Sequence, residues 1–409
     1  MLSSPLRMSR LRWFQFTQFR FKDKTMTLRP ILQGLVLLFG TATAAVAATV
    51  PPPPQLAAKS WVLMDAASGS VLVDQLGTQR LPPASLTKLM TAHVAALELQ
   101  RGRLKESDLV LISEKAWRMG GSKMFVHVGD QVAVSDLLRG IIVQSGNDAS
   151  VALAEHIAGG EETFAAMMNQ EAKRLGLADT QFVNATGWPA EGHYSSALDM
   201  AKLARAIVLE DPTHYAMYAE KEFVWNDIKQ PNRNLLLWRD STVDGLKTGH
   251  TEEAGYCLVA SAKRDGQRLI AAVFGTDSEA ARAAETAKLL GYGFNFFDSK
   301  TFFKKGDTVQ SVEVWKGAAR TVKAGVAEDF AAALPKRASD EYRTRVVLAE
   351  GPLMAPVVAG APLGQVELVG SDGKVVTQAP LVALEAVEEG GFFRRIWDGI
   401  RLFFRGLFG

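Results

Sequence analysis

A single cysteine, Cys257, excludes an internal disulfide in a chain of 409 residues. A core of this size needs no covalent staple, so the shortage leaves the redox compartment open. Cys257 lies in an apolar run, G-Y-C-L-V-A, and reads as a small core residue rather than a nucleophile. The six histidines, at positions 93, 127, 156, 193, 214 and 250, show neither H-x-x-x-H nor H-E-x-x-H spacing. Zinc is therefore not expected, and no glycine-rich loop of the P-loop type offers to cradle a phosphate. No metal or cofactor is expected. An excess of one charge is missing too. Residues 1–47 carry seven Lys/Arg and one Asp; the remainder holds 39 basic and 43 acidic residues, a formal charge of −4. That balance gives no electrostatic case for a nucleic-acid partner.

Hydrophobic content of 47% and charged content of 22% suit a globular protein of two or three domains. Residues 1–47 read as an export signal. Arg29 precedes the apolar run Ile31–Phe39, and Ala45-Val46-Ala47 offers a small-residue cleavage site. That run is too short to make a good membrane span. Many Arg and Phe residues precede it, so Met26 is the expected start, with a long basic leader as the alternative. Pro51–Pro54 then forms a stiff lead-in.

Trp61–Asp65 and Val71–Asp74, around Ser68-Gly69, read as a hairpin. Helices are expected over Asp136–Val143, capped by Ser135, and over Ala149–Ile157, Glu162–Leu175 and Ala197–Val208. Strands return at Gly255–Ala262 and Arg268–Gly275, joined by Asp265-Gly266, a strong two-residue hairpin signal. A helix over Glu279–Phe297 closes the region. The expectation is an α/β (α+β) catalytic domain over 56–298, whose antiparallel sheet takes strands from both chain ends around a helical middle. Residues 301–387 are rich in Val, with turn signals at Lys316-Gly317, Gly351-Pro352 and Asp372-Gly373. They read as a small all-β sandwich domain without a catalytic cluster.

The stretch Pro82–Thr91 reads P-P-A-S-L-T-K-L-M-T. Leu86, Met90, Val94 and Leu97 keep helical spacing as far as Gly102. Ser85 and Lys88, three residues apart, share one face, so the amine can reach the hydroxyl. A serine hydroxyl is a weak nucleophile until a base takes its proton, and here that base would be an amine. S-x-x-K alone arises by chance roughly once in such a chain. Two further clusters change the odds: Ser145-Gly146-Asn147 at a helix break, and Lys247-Thr248-Gly249 just before the strand at Gly255. Each tripeptide has a chance expectation of only about 0.1.

The order S-x-x-K, S-x-N, K-T-G resembles the penicillin-recognising serine acyl enzymes. S-L-T-K-L-M-T, Q-S-G-N-D-A and V-D-G-L-K-T-G-H-T are similar to the low-molecular-mass penicillin-binding proteins that act as D-alanyl-D-alanine carboxypeptidases. The resemblance covers roughly residues 56–409; Gly146 departs from the better-known S-D-N. It implies removal of the terminal D-alanine from a peptidoglycan pentapeptide, with β-lactams as inhibitors. Ser85 would attack the penultimate D-Ala carbonyl, Lys88 take its proton, and Ser145 pass a proton to the leaving amine. Asn147 would position Lys88 and the substrate amide. Lys247, with Thr248 and Gly249, would bind the terminal carboxylate. The backbone N–H groups of Ser85 and His250 would form the oxyanion hole. Arg233, in N-R-N, would help orient the carboxylate, an incidental loop arginine being the alternative. A free lysine titrates at ~10.4 and must fall to near 7, about 4 kcal/mol. Burial and a second cation, expected to be Lys247, would lower it.

Residues 391–409 read as an amphipathic membrane-anchor helix. Phe392, Phe393, Ile396, Trp397, Ile400, Phe403, Phe404, Leu407 and Phe408 fall on one face, and Arg394, Arg395, Asp398, Arg401 and Arg405 on the other. Each large apolar side chain offers ~1.5–3 kcal/mol at most on burial, and each arginine about 1 kcal/mol near anionic lipid. Such a helix lies on a membrane surface rather than spanning it. Docking on the protein's own core is the alternative. With the export signal, this implies a periplasmic protein held peripherally on the outer face of the inner membrane. A DD-endopeptidase, a weak β-lactamase and a non-catalytic cell-wall or membrane-shape factor are the competing functions. The β-lactamase reading lacks an E-x-x-N between Asp148 and Leu246.

Overall fold

The computed structural model describes residues 50–408, with side chains as far as Arg405; the leader expected over 1–47 lies outside the described residues. Strands β1 (Ser60–Asp65), β2 (Val71–Gln75), β3 (Val243–Thr251), β4 (Gly255–Arg264) and β5 (Gln267–Thr276) form one antiparallel sheet in the order β2-β1-β5-β4-β3. Strands from both ends of the region thus pair around a helical middle, as expected. Asp265 and Gly266 both have positive φ, which the tight turn between β4 and β5 requires.

Alternate residues of these strands serve two cores, because side chains alternate across a sheet. Val62, Met64, Val259, Ile270 and Phe274 pack with the helical middle. Leu63, Leu258, Leu269, Ala271 and Val273 pack with Leu289, Leu290 and Phe294. The helical middle holds α1 (Lys88–Gln100), α2 (Asn147–Ala158), α3 (Glu161–Arg174) and α4 (Ala197–Glu210); α5 (Glu279–Phe296) covers the opposite face. Cys257 is fully buried and free.

Local differences from the sequence reading have local causes. Ser135 caps nothing: the helix is Val134–Arg139, Ala133 stands at its cap, and a wider turn, Gly140–Gln144, continues it. Lys247-Thr248-Gly249 comes just before the strand at Gly255, as expected, but itself lies within a strand, β3, that the sequence did not show. Its glycines and polar residues hide the usual strand pattern. Strand β6 (Phe297–Phe303) follows α5 directly and pairs with Phe330–Pro335. This pair packs against a six-stranded sheet through Phe302, Phe330, Val366 and Leu368. Helix α6 (Phe392–Phe408) ends the chain.

Two glycines set how closely the site's segments approach. Gly249 on β3 lies against the Ser85 turn; a Cβ there would sit 3.0 Å from Pro83 O. Gly187 has φ +81°, and a Cβ would fall 1.8 Å from Ala84 O. Gly187→Ala should therefore cost about 2–4 kcal/mol in denaturant unfolding. Wild-type stability in that variant would show that the 184–188 segment is not pressed on the Ser85 turn.

Candidate active site

The tight turn Ala84–Thr87 feeds directly into α1 and places Lys88 at the helix's first position. Leu86 and Leu89 are fully buried, so the turn is fixed from beneath while Ser85 stays half-buried at the surface of a cleft. Lys88 is 1% exposed, and its burial governs its chemistry. Nζ lies 3.0 Å from Ser85 Oγ, and it donates to Asn147 Oδ1 at 2.7 Å and to Thr186 O at 2.6 Å. Asn147 is oriented in turn by donating from Nδ2 to Gly120 O at 2.7 Å.

Two of the three directions at Nζ thus meet atoms that can only accept. The third meets a hydroxyl, which can donate to a neutral amine or accept from a charged one. Burial, then the charge of Arg233, lowers Lys88 from 10.5 to about 7; the buried carboxylate of Asp148 pulls the other way. Arg233 is thus a cation beside Lys88 that was not expected; the expected one, Lys247, repels Lys88 too, since the repulsion between the two amines is mutual. Lys247 is itself held well below its ordinary value, first by burial and then by the charges of Lys88, Arg233 and Arg282. Its Nζ donates to Thr248 O at 3.1 Å.

Ser145 sits at φ +69°, the break between the wide turn and α2, and its Oγ is buried without a hydrogen-bond partner. Ser85, Ser145, Asn147, Arg233, Thr248, Gly249 and His250 all line one cleft of about 870 Å³. Lys247 is buried in β3 beside Thr248 and is not among its lining residues. The His250 ring stacks on Tyr256 at 4.0 Å between centroids. Arg233 is exposed but not loose. Buried Asn232 and Asn234 flank it, donating to Glu220 O and Gly245 O, and its own Nη1 donates to Ser122 Oγ at 2.8 Å.

Several participants escaped the sequence reading. Thr186 acts through its backbone carbonyl, so its side chain gave no sign. Asn184 bends that segment by accepting from Thr186 N and Gly187 N, and N-A-T-G was the signal available for such a turn. Asp148 holds the loop before it by accepting from Met124 N at 2.8 Å and Phe125 N at 2.9 Å. Trp188 and Arg282 also line the cleft. Among the described residues, His93, Glu171 and Glu210 come close enough to hold a metal. Arg174 already donates to both glutamates there.

A family profile described as D-alanyl-D-alanine carboxypeptidase matches residues 44–278, more than half of the chain. The chain belongs to that family. A second profile, described as penicillin-binding protein 5, C-terminal domain, matches residues 297–389. The D-alanyl-D-alanine carboxypeptidase DacC of Escherichia coli is 42% identical over 391 residues, covering 93% of this chain and 97% of that one. Penicillin-binding protein 5 from Haemophilus influenzae superposes with a TM-score of 0.78 at 42% identity, covering 83% of this chain and 99% of that one. Penicillin-binding protein D2 from Listeria monocytogenes, solved in an ampicillin-bound form, gives a TM-score of 0.55 at 29% identity, over 59% of this chain and all of that one. The serine carboxypeptidase fold is thus shared over both the α/β and the β region.

The site makes a signed pH prediction. If Lys88 must be neutral to take the Ser85 proton, Ser85 acylation rises as pH climbs through about 7. Arg233→Gln removes a charge that lowers Lys88, so the midpoint should move up. Asp148→Asn removes one that raises it, so the midpoint should move down. Stopped-flow acylation by a chromogenic β-lactam reads all three midpoints; profiles that stay superposed would contradict this electrostatic account.

Proposed function

We propose that this carboxypeptidase releases the terminal D-alanine of peptidoglycan stem peptides through an acyl-enzyme on Ser85. The observation that carries the reading is the buried Lys88 amine, fixed by two acceptors with its remaining direction toward Ser85 Oγ. Ser85 Oγ bonds to the penultimate D-Ala carbonyl carbon while its proton passes to Lys88 Nζ. The resulting oxyanion is held by backbone N–H groups of Ser85 and His250. The C–N bond then breaks, and the leaving D-Ala amine takes a proton through Ser145, whose unpartnered hydroxyl is free to rotate. Water finally hydrolyses the ester, with Lys88 again accepting a proton.

Arg233, Thr248 and Gly249 at the cleft wall receive the substrate's terminal carboxylate, and Lys247, buried behind Thr248, adds positive charge to that place. A buried amine depressed by its neighbours regains its charge when an anion arrives. Substrate binding therefore supplies the positive charge that the empty cleft suppresses. A β-lactam would acylate the same hydroxyl, as its cyclic amide occupies the place of the scissile bond.

The apolar face of α6 supports attachment to a membrane surface. Phe392, Phe393, Trp397, Phe403 and Phe404 are all exposed by more than half. Among the described residues no helix is long and apolar enough to cross a membrane. Together with the leader expected over 1–47, this supports a periplasmic location at the outer face of the inner membrane.

Incubation with a peptide ending in Lys-D-Ala-D-Ala tests the first reading. Free D-Ala should appear with the wild type and fall by at least about 10³-fold in Ser85→Ala and Lys88→Ala. Mass spectrometry should place a penicillin adduct on Ser85. D-Ala release by Ser85→Ala at the wild-type rate would end the proposal. For the second reading, the full chain should sediment with phosphatidylglycerol-containing vesicles, and a chain ending at residue 391 should not. Equal sedimentation of both would remove the membrane role.

A further inference from the structure

The terminal helix shows a one-sided grip. Its charged residues Arg394, Asp398, Arg401 and Arg405 are spaced so that they lie along one face, and each touches the β region. Arg394 Nη1 donates to Ala318 O at 2.9 Å. Asp398 Oδ2 accepts from Lys316 N at 2.8 Å, and Asp398 is 8% exposed. The guanidinium groups of Arg401 and Arg405 lie 5.2 and 5.8 Å from the ring centroid of buried Trp315, within cation–π range. Arg405 also reaches Glu313 at 3.6 Å.

The approach to the helix is fixed as well. Gly390 N donates to Lys316 O and Ala318 N to Glu388 O, both at 2.7 Å, so Glu388–Gly390 runs beside the turn Trp315–Ala318. Lys316 holds φ +58° in that turn, a conformation that non-glycine residues seldom adopt. The backbone N–H it presents is the one that Asp398 accepts.

Asp398 argues that this face is made for protein. An acid amid four arginines weakens attraction to anionic lipid, yet it is the one residue there that can accept from a backbone N–H. Docking on the protein's own core would bury the aromatic residues; here the aromatic residues point away and the charged residues dock.

We propose that the turn Trp315–Ala318 is a cradle that grips the polar face of α6 before any lipid is met. The apolar face is thereby displayed in a fixed direction, and the β region sets the angle at which the chain meets a bilayer. This last consequence rests on the membrane reading above; the grip itself does not.

Hydrogen exchange on the full, lipid-free chain tests the grip. Amides of 392–405 should exchange more slowly than in a free peptide of the same sequence. Asp398→Ala, and separately the Arg401→Ala/Arg405→Ala pair, should each speed that exchange about tenfold. Release of D-Ala from a soluble peptide should stay unchanged in both. Wild-type exchange at the free-peptide rate, or variants with unchanged exchange, would overturn the cradle.

Energy transfer from a dye at exposed Lys105→Cys to an acceptor lipid in phosphatidylcholine/phosphatidylglycerol vesicles tests the orientation. A narrow distance distribution should broaden in Asp398→Ala. Equal widths would overturn the orientation claim. Failure of the wild type to bind vesicles would overturn the membrane reading, and the orientation claim with it. The exchange result would still judge the grip on its own.

Discussion

Lys88 Nζ can direct its bonds three ways, and two of those ways end on atoms that never donate. The carbonyl of Thr186 and the amide oxygen of Asn147 hold two N–H groups in place. Whatever remains, a proton or a lone pair, faces Ser85 Oγ. Burial then decides which it is, because a charged amine loses far more hydration than a neutral one. In the proposed mechanism, this pairing of a fixed direction with a depressed pKa lets a lysine serve where a histidine often would.

Much of the surrounding structure serves that arrangement. The 184–188 segment presses on the Ser85 turn closely enough that only glycine fits at 187. Asp148 ties down Met124 and Phe125, which steadies the loop whose Gly120 carbonyl orients Asn147. Its charge also limits how far Lys88 falls, while Arg233 acts in the opposite sense. Lys88 is therefore held between the charge of Arg233 and that of one buried carboxylate.

What could be read from the chain, and what could not, divides along physical lines. Ser85 and Lys88 meet because helical geometry alone brings positions three apart together, and Ser145-Gly146-Asn147 marks its own helix break. Four of the five sheet strands were legible because apolar runs and Asp265-Gly266 are local signals; β3 was not, because its glycines and polar residues hide the pattern. Thr186 was not, since a carbonyl oxygen is common to every residue and only tertiary packing aims it. Arg233 could not be separated from a surface arginine until Asn232 and Asn234 were seen to pin it. Nor was it legible that Lys247 is itself lowered, which depends on burial and on distances across several segments. The terminal helix makes the same point. Its two faces were plain in the sequence, but periodicity does not say which of them the protein itself will hold.

The central claim is that Lys88 is largely uncharged just above neutral pH with the cleft empty. Carbon-13 NMR of ε-labelled lysine, with the Lys88 signal assigned by its loss in Lys88→Ala, measures this directly. Titration of that signal with a midpoint near 7 is the predicted result. A midpoint near 10, as for a solvated lysine, would contradict the account.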